Sequence, residues 1–171
     1  MQVRDRIKEL RRVPASELLP NPKNWRTHPV AQQDALKGVL AEIGYADALI
    51  ARETPDGLML VDGHLRAEAT PDSEVPVLIL DINEDEADLM LATLDPLASM
   101  AGRDEGLLTQ LLASVEAESG SVNELLRALG DNDIQGLEDF PDWGDQIDEG
   151  IADGIQLCVC ECGHEHHKVS E

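Results

Sequence analysis

The stretch LMLVDGHLRAEA, residues 58–69, decides how this chain is expected to fold. It opens as an apolar strand, breaks at Asp62-Gly63, and continues as a short helix that Thr70-Pro71 ends. A strand that feeds a helix through a glycine leaves unpaired backbone N–H groups at the helix start, where the helix dipole adds positive potential. The stretch therefore predicts an anion-binding turn between a strand and a helix.

Apolar runs around this turn predict a small sheet. Residues 48–51 and 58–61 flank the turn sequence ETPDG, and this arrangement is typical of a β-hairpin. Residues 75–81 (VPVLILD) predict another strand, and residues 11–13 (RRV) a short one. The fold class is therefore α/β (α+β), with a small mixed sheet packed against helices.

Helical patterns fill much of the remaining sequence. From residue 30, apolar side chains recur at helical spacing and predict one helix face made of Val30, Leu36, Val39, Leu40 and Ile43, with Gly44 as the helix end. Residues 82–100 predict an acidic-start helix that Pro96 kinks or splits. Two further helices are expected at 104–118 and 121–129, opened by Asp104 and Ser121.

Charge is distributed unevenly along the chain, whose formal net charge is −22. Residues 1–66 hold ten basic and nine acidic residues, whereas residues 67–171 hold three basic and twenty-six acidic residues. DNA contact is therefore expected only from the N-terminal third or through a protein partner. Residues 131–154 are acidic without any Lys or Arg, and they predict a disordered or partner-bound linker.

Composition also indicates where the protein works. No apolar run approaches the roughly 18 to 20 residues that span a bilayer, so we expect no membrane contact and a cytoplasmic location. All three cysteines lie at Cys158, Cys160 and Cys162, a spacing that suits metal ligands better than a secreted disulfide framework.

The Cys/His-rich tail at 155–171 is a candidate zinc site. Six potential ligands fall within ten residues, and the metal-ligand candidates are Cys158, Cys160, Cys162, His164 and His166. A structural zinc site usually takes ligand pairs from two turns, and only one is present here. A local or intersubunit zinc site and a degenerate metal-binding tail therefore both stay open.

The residues at the 58–69 turn have side chains suited to phosphate chemistry. Gly63 allows close backbone approach, and Arg66 can fork onto a phosphate. Asp62 can hold magnesium or accept a proton, and His64 can donate a hydrogen bond or carry a proton, so both are candidate catalytic residues. In the structural alternative Asp62 only caps the helix, His64 lies on the surface, and Arg66 pairs with a glutamate.

The segment PNPKNWRTHP, residues 20–29, is a second candidate. Its prolines stiffen a polar loop that lies just before a helix, and such a loop loses little entropy on binding. Asn21, Lys23, Asn24 and Arg26 are therefore candidate nucleotide-binding residues. Equally, the loop can be a rigid connector that Trp25 anchors.

These motifs together resemble the ParB/sulfiredoxin-like superfamily. The resemblance rests on LPNPKN at 19–24, EIG at 42–44, DGHLR at 62–66 and VPV at 75–77, and it covers about residues 11–95. The chain is most similar to the ParB-like ("ParB-like nuclease") domains of phage and mobile-element proteins, which sometimes accompany DNA methyltransferases. This resemblance implies a nucleotide-binding domain at 1–95, followed by a helical extension at 96–130.

The resemblance also implies roles for the DGHLR residues. The equivalent motif of partition proteins, GERR, serves a CTP-dependent DNA clamp and implies phosphate contacts for Gly63 and Arg66. That of free-serine kinases, DGHHR, implies catalytic or phosphate-contacting roles for Asp62, His64 and Arg66. Leu65 departs from both patterns. Sulfiredoxins place a reactive cysteine where this chain has His64, which argues against sulfinic acid reduction.

The sequence therefore favours a ParB-like protein that binds a nucleoside di- or triphosphate with magnesium, CTP or ATP, in a DNA-related context. NTPase, phosphotransferase and nuclease activities are open, although no compact carboxylate and lysine cluster specifies a two-metal nuclease. Partition proteins follow this domain with a basic helix-turn-helix, whereas acidic helices follow it here. The alternative is a non-enzymatic adaptor or acidic DNA mimic that recruits a DNA-handling partner. ParB-like relatives and the half zinc site both suggest a homodimer.

Overall fold

The computed structural model describes residues 3–134 and the backbone of two later strands. In chain order the elements are β1 (Ile7–Pro14), a 3-10 turn (Ala15–Glu17), β2 (Leu18–Leu19), α1 (Val30–Glu42), β3 (Leu49–Thr54), β4 (Gly57–Asp62), α2 (His64–Ala69), β5 (Glu74–Leu80), α3 (Glu84–Ser99), α4 (Glu105–Leu112), α5 (Gly120–Gly130), β6 (Gln156–Val159) and β7 (Glu165–Lys168). The chain divides into two compact units, Met1–Glu138 and Asp139–Glu171.

The first five strands form one mixed sheet in the order β1-β5-β3-β4-β2. The pairs β1/β5 and β3/β4 are antiparallel, and the pairs β3/β5 and β2/β4 are parallel. The predicted hairpin and the strand after it are confirmed. The strand predicted at 11–13 is longer, because β1 pairs with β5 from Pro14 back to Ile7 across an irregularity between Ile7 and Glu9.

The main cluster of buried hydrophobic side chains lies on one face of this sheet. Val75, Val77 and Ile79 are fully buried at alternate positions of β5, which places them on that face, and Pro76 and Leu80 are buried as well, so both faces of β5 are covered. Leu49 and Ala51 of β3 join the three alternate residues in one cluster. Aliphatic side chains thus build the core of a chain that has only four aromatic residues.

The start of α3 is fixed to the first strand. Asn83 and Glu86 form a reciprocal capping box, in which each side chain accepts from the other's backbone N–H. Arg6 donates to both carboxylate oxygens of Glu86 at 2.7 Å. The Arg6 guanidinium and the Asn83 N–H lower the pKa of Glu86 to about 2. The α3 start is therefore held by its own cap and by Arg6, the residue just before β1.

The later helices differ from the sequence prediction in their bounds. Pro96 does not split α3, which continues to Ser99. The helix predicted at 104–118 ends at Leu112, although Asp104 caps it as expected. Ser119, not Ser121, caps α5 by accepting from the Val122 N–H. The sequence pattern located each of these helices correctly. The N-cap is the residue whose side chain reaches the free N–H groups of the first helical turn, and in α5 this residue is Ser119.

The first helix has a narrower buried face than the pattern predicted. Ala35 is its buried residue, whereas Val30 and Ile43 are 46% and 70% exposed. The helix ends as predicted, since the Gly44 N–H bonds to the Leu40 carbonyl. Gly38 lets α1 approach α5 closely, because a Cβ there would lie 2.4 Å from the Ser119 Oγ.

The second unit contains the antiparallel pair β6/β7, in which Cys158 lies opposite His166 along the backbone. Cys160, Cys162 and His164 lie outside the described residues, as does most of the acidic segment 131–154, so the zinc site and the linker stay predictions. Where side chains are described, no group of three or more His, Cys, Asp or Glu residues is arranged to hold a metal. Within the described part of the chain, no helix is long and apolar enough to cross a membrane.

Two glycines with left-handed backbones provide a test of why the strand-to-helix turn needs glycine. Gly63 has φ +91° and a Cβ there would lie 2.8 Å from the Leu49 Cγ, whereas Gly44 has φ +80° and nothing within 4 Å. We expect Gly44→Ala to lower the free energy of unfolding by about 1–2 kcal/mol from backbone strain alone. Gly63→Ala adds overpacking and should cost about 2–5 kcal/mol.

Urea unfolding of both variants and the wild type measures this difference. Equal losses at the two positions would contradict the assignment of Gly63 to close packing against the core.

Candidate functional site

The turn after β4 positions the DGHLR residues. Asp62 ends the strand and Gly63 occupies the N-cap position of α2 without any side-chain cap, so Asp62 does not cap this helix. Because α2 has only six residues, its dipole is short. The short dipole contributes little at this helix start, so anion binding here would depend mainly on side chains.

His64 joins this turn to the loop at residues 20–29. Its side chain is only 6% exposed, and its Nε2 atom accepts a hydrogen bond from the Asn21 backbone N–H at 3.2 Å. An acceptor Nε2 requires the neutral ring with its proton on Nδ1. Burial lowers the pKa of His64 against the opposing effects of Glu68 and Asp62. The alternative in which His64 lies on the surface is therefore wrong, because the side chain is buried.

Arg66 is held between two carboxylates. Its Nη1 donates to Asp47 Oδ2 at 2.5 Å and its Nη2 to Asp62 Oδ2 at 2.9 Å. The Arg66 guanidinium lowers the pKa of Asp47. The alternative in which Arg66 pairs with a glutamate is therefore wrong about the partner, because both carboxylates belong to aspartates. Asp47 was missed because it lies in an unpatterned loop, 19 residues from Arg66.

The second half of the loop is docked on α3. The Trp25 Nε1 donates to the Leu91 carbonyl at 3.3 Å, and Arg26 pairs with Asp95 at 2.5 Å. Asn24 accepts the Arg26 backbone N–H at 3.3 Å, and this bond holds the local turn. The loop is therefore ordered against α3 as well as against His64, as the stiff-loop prediction required.

A cavity of about 320 Å³ lies between α2 and α3 and is called the α2–α3 cavity below. Its polar lining residues are Asn24, Arg26, His28, Gln32, Asp62, Gly63, His64, Arg66 and Asp95, and its apolar lining residues are Trp25, Leu36, Val61, Leu65, Met90, Leu91 and Leu94. Six of the eight candidate nucleotide and catalytic residues thus surround one space. His28 of the candidate loop also lines this space, and Gln32 and Asp95 are polar lining residues that the sequence did not indicate.

Lys23 and Asn21 lie elsewhere. Both line a separate cavity of about 280 Å³, and the Lys23 Nζ pairs with Glu84 at 2.7 Å and Asp88 at 2.6 Å. These two carboxylates raise the pKa of Lys23 to about 12. Asn21 makes two hydrogen bonds that order the loop. Its backbone N–H donates to His64 Nε2, and its Oδ1 accepts from the Lys23 backbone N–H at 3.0 Å. The structure therefore does not bring Lys23 to the six candidates that line the α2–α3 cavity.

The charges in the α2–α3 cavity are balanced. Arg26 pairs with Asp95, and Arg66 pairs with Asp62 and Asp47. A phosphate entering this space must displace a carboxylate or arrive with a cation. Magnesium is often bound by one or two carboxylates together with substrate phosphates, and the half-exposed Asp62 carboxylate fits that pattern better than an all-protein site.

No family model and no curated protein matches the sequence. The structure is similar to the C-terminally truncated chromosome-partitioning protein ParB from Caulobacter crescentus complexed with CTP-gamma-S, with a TM-score of 0.50, 17% identity, and coverage of 85% of this chain and 86% of that one. The chain has a ParB-like fold. This confirms the fold that the LPNPKN and DGHLR motifs predicted.

Two other ParB structures match at lower scores. One is the truncated Caulobacter crescentus ParB complexed to the centromeric parS site, with a TM-score of 0.42, 16% identity, and coverage of 77% of this chain and 73% of that one. The other is a Pnob8-like ParB-N domain, with a TM-score of 0.38, 15% identity, and coverage of 93% and 56%.

The buried His64 in this ParB-like fold predicts a pH dependence of stability. Its pKa lies below the ordinary value of 6.5 when folded, so the unfolded chain binds the proton more readily. This contribution to stability is present above about pH 6.5 and is lost as the pH falls from there towards the folded pKa. In His64→Asn, the loss of unfolding free energy between about pH 7 and about pH 5.5 should be smaller than in the wild type.

His28→Asn is the comparison variant, since His28 lines the same cavity without accepting from Asn21. Because the His28 charge is the smallest of the causes that act on the pKa of His64, this variant should change the slope less than His64→Asn does. Urea unfolding at a series of pH values measures the slopes. An unchanged slope in His64→Asn would show that His64 is not held neutral by the fold.

Proposed function

We propose that the α2–α3 cavity binds a nucleoside di- or triphosphate, with the phosphates between Arg66 and Arg26. One observation carries this proposal: two arginines on separate elements line a single cavity next to the left-handed Gly63. Support also comes from the similar Caulobacter crescentus ParB, which was determined with CTP-gamma-S. CTP is therefore the first nucleotide to test, followed by ATP.

The phosphate would bind by exchange of ion pairs. The Asp47 side chain is 79% exposed, so it can leave Arg66 for water at little cost. The Arg66 side chain is 18% exposed and is ion-paired with Asp62, four residues earlier in the chain. This second ion pair keeps the Arg66 guanidinium oriented when Asp47 leaves. A preoriented guanidinium suits bidentate phosphate contact. Asp47 thus acts as a competitor that a phosphate replaces.

Turnover would depend on Asp62. Asp62 is placed to receive magnesium with the phosphates or to accept a proton from an attacking hydroxyl. His64 would act by holding the loop, because its Nε2 is already an acceptor for the Asn21 N–H. NTP hydrolysis or phosphotransfer would then rest on positioning and charge. Nuclease activity is the weakest of the three, since it calls for a metal cluster that the described residues do not form.

The biological setting that we propose is DNA-associated, in a phage or mobile element. DNA contact would come from the basic N-terminal third or through a protein partner. On β1, Lys8, Arg11 and Arg12 are all exposed, and Lys8 and Arg11 are ion-paired with Glu53, which leaves Arg12 as the cation of that strand without an ion pair among the described residues. The first third of the chain therefore offers a modest surface for a phosphate backbone.

An adaptor without catalytic activity is a second candidate function. It is favoured by large apolar side chains that are more than half exposed on α3, at its C-cap and on α4, namely Leu89, Leu97, Met100, Leu107 and Leu111. A protein partner would cover such side chains if they lie in one patch. The acidic segment with Phe140 and Trp143 would add anchors for the same partner, a DNA-handling protein.

Calorimetric titration of CTP, ATP and ADP with magnesium tests the nucleotide proposal. Arg66→Ala should weaken binding at least about tenfold, because a charge-assisted bidentate contact is lost. Asp47→Asn should strengthen binding about two- to tenfold, because the competing carboxylate is removed.

Arg11→Ala is the matched control, since Arg11 is also ion-paired but lies on β1 outside the cavity. If the wild type binds none of the three nucleotides, the nucleotide proposal fails and the adaptor is the better candidate. Equal effects of Arg66→Ala and Arg11→Ala would place the nucleotide elsewhere.

A further inference from the structure

Trp25 occupies an unusual position for a tryptophan. Its ring is 61% exposed in a chain that has only two tryptophans, although large aromatic side chains normally contribute most when buried. It is nevertheless fixed, because its Nε1 donates to the Leu91 carbonyl and the Arg26 guanidinium carbon lies 5.2 Å from the ring centroid. Arg26 lies over one ring face, so a planar ligand group would have to stack on the other face.

This ring belongs to an apolar part of the α2–α3 cavity. Leu36, Leu65, Met90 and Leu94 line the same space from α1, α2 and α3. A phosphate group cannot cover apolar side chains, because it keeps its oxygens hydrated or hydrogen-bonded. A ligand that fills the cavity therefore needs an apolar part as well as an anionic one.

We infer that Trp25 stacks on the base of the bound nucleotide, and this inference rests on the proposed function. The ligand class is then a purine or pyrimidine nucleotide, as opposed to inorganic polyphosphate or a sugar phosphate. Aromatic stacking accepts any base, since every base has a π face. Arg26 lies between the proposed base and phosphate positions, because it stacks on Trp25 and lines the same cavity as Arg66.

Fixing the indole before the ligand arrives makes the stack effective. A side chain already held by a hydrogen bond and a cation–π contact loses little rotamer freedom when a base covers it. Leu91 and Asp95 lie one turn apart on α3 and hold Trp25 and Arg26 respectively. The helix thus presents the pair as one preformed surface.

The test uses the full chain and two probes, a nucleotide (CTP or ATP) and inorganic tripolyphosphate, both with magnesium. Calorimetry on Trp25→Ala should show nucleotide binding weakened about tenfold or more, with tripolyphosphate binding changed by less than about twofold. Trp25→Phe keeps an aromatic face and should stay within about threefold of the wild type for both probes. Unfolding midpoints of both variants show whether the fold is intact.

Fluorescence gives an independent readout. In Trp143→Phe, Trp25 is the remaining tryptophan, and the nucleotide should quench its emission while tripolyphosphate should not. Equal weakening of both probes by Trp25→Ala, or no weakening of either, would overturn the stacking inference. Binding of tripolyphosphate without nucleotide would overturn it while leaving the phosphate site intact. If neither probe binds the wild type, the proposed function itself fails.

Discussion

The hydrogen bond from the Asn21 backbone N–H to His64 Nε2 is the contact on which the candidate site depends. It joins two segments 43 positions apart, the proline-stiffened loop and the strand-to-helix turn. The bond requires a buried neutral imidazole, and burial itself keeps the ring neutral by lowering its pKa. Lys23, Trp25 and Arg26 attach the loop to α3, whereas the bond from Asn21 to His64 attaches it to the strand-to-helix turn. The two kinds of contact together hold residues 24–28 as one wall of the α2–α3 cavity.

Charge balance is the second constraint on the site. Each arginine of the α2–α3 cavity is already paired, Arg66 with Asp47 and Asp62 and Arg26 with Asp95. Unpaired guanidinium groups would stay strongly hydrated, whereas paired ones are oriented and partly desolvated before a ligand arrives. This arrangement favours a ligand of higher charge density than a carboxylate, which is what a polyphosphate with magnesium offers.

The sequence predicted what depends on local pattern and failed where distant parts meet. The hairpin, β5 and the turn at Gly63 follow from alternation and turn chemistry, and the ParB-like fold followed from two short motifs. The sequence around Asp47 did not indicate its pairing with Arg66, because only the tertiary fold brings these two residues together. Lys23 was grouped with Arg26 by proximity in sequence, yet the two side chains leave an irregular loop in different directions and reach opposite ends of α3. Periodicity cannot assign side-chain direction in such a loop.

The loop and the turn form one ligand site if both respond to the same nucleotide. Backbone amide NMR signals of the full chain, followed while CTP or ATP with magnesium is added, measure this response. We expect shifts confined to residues 24–28, residues 62–66 and the α3 segment around Leu91, with the Lys23 cavity around Arg52 unchanged. Shifts clustered around Arg52, or spread over the exposed leucines of α4 without the turn, would contradict this expectation.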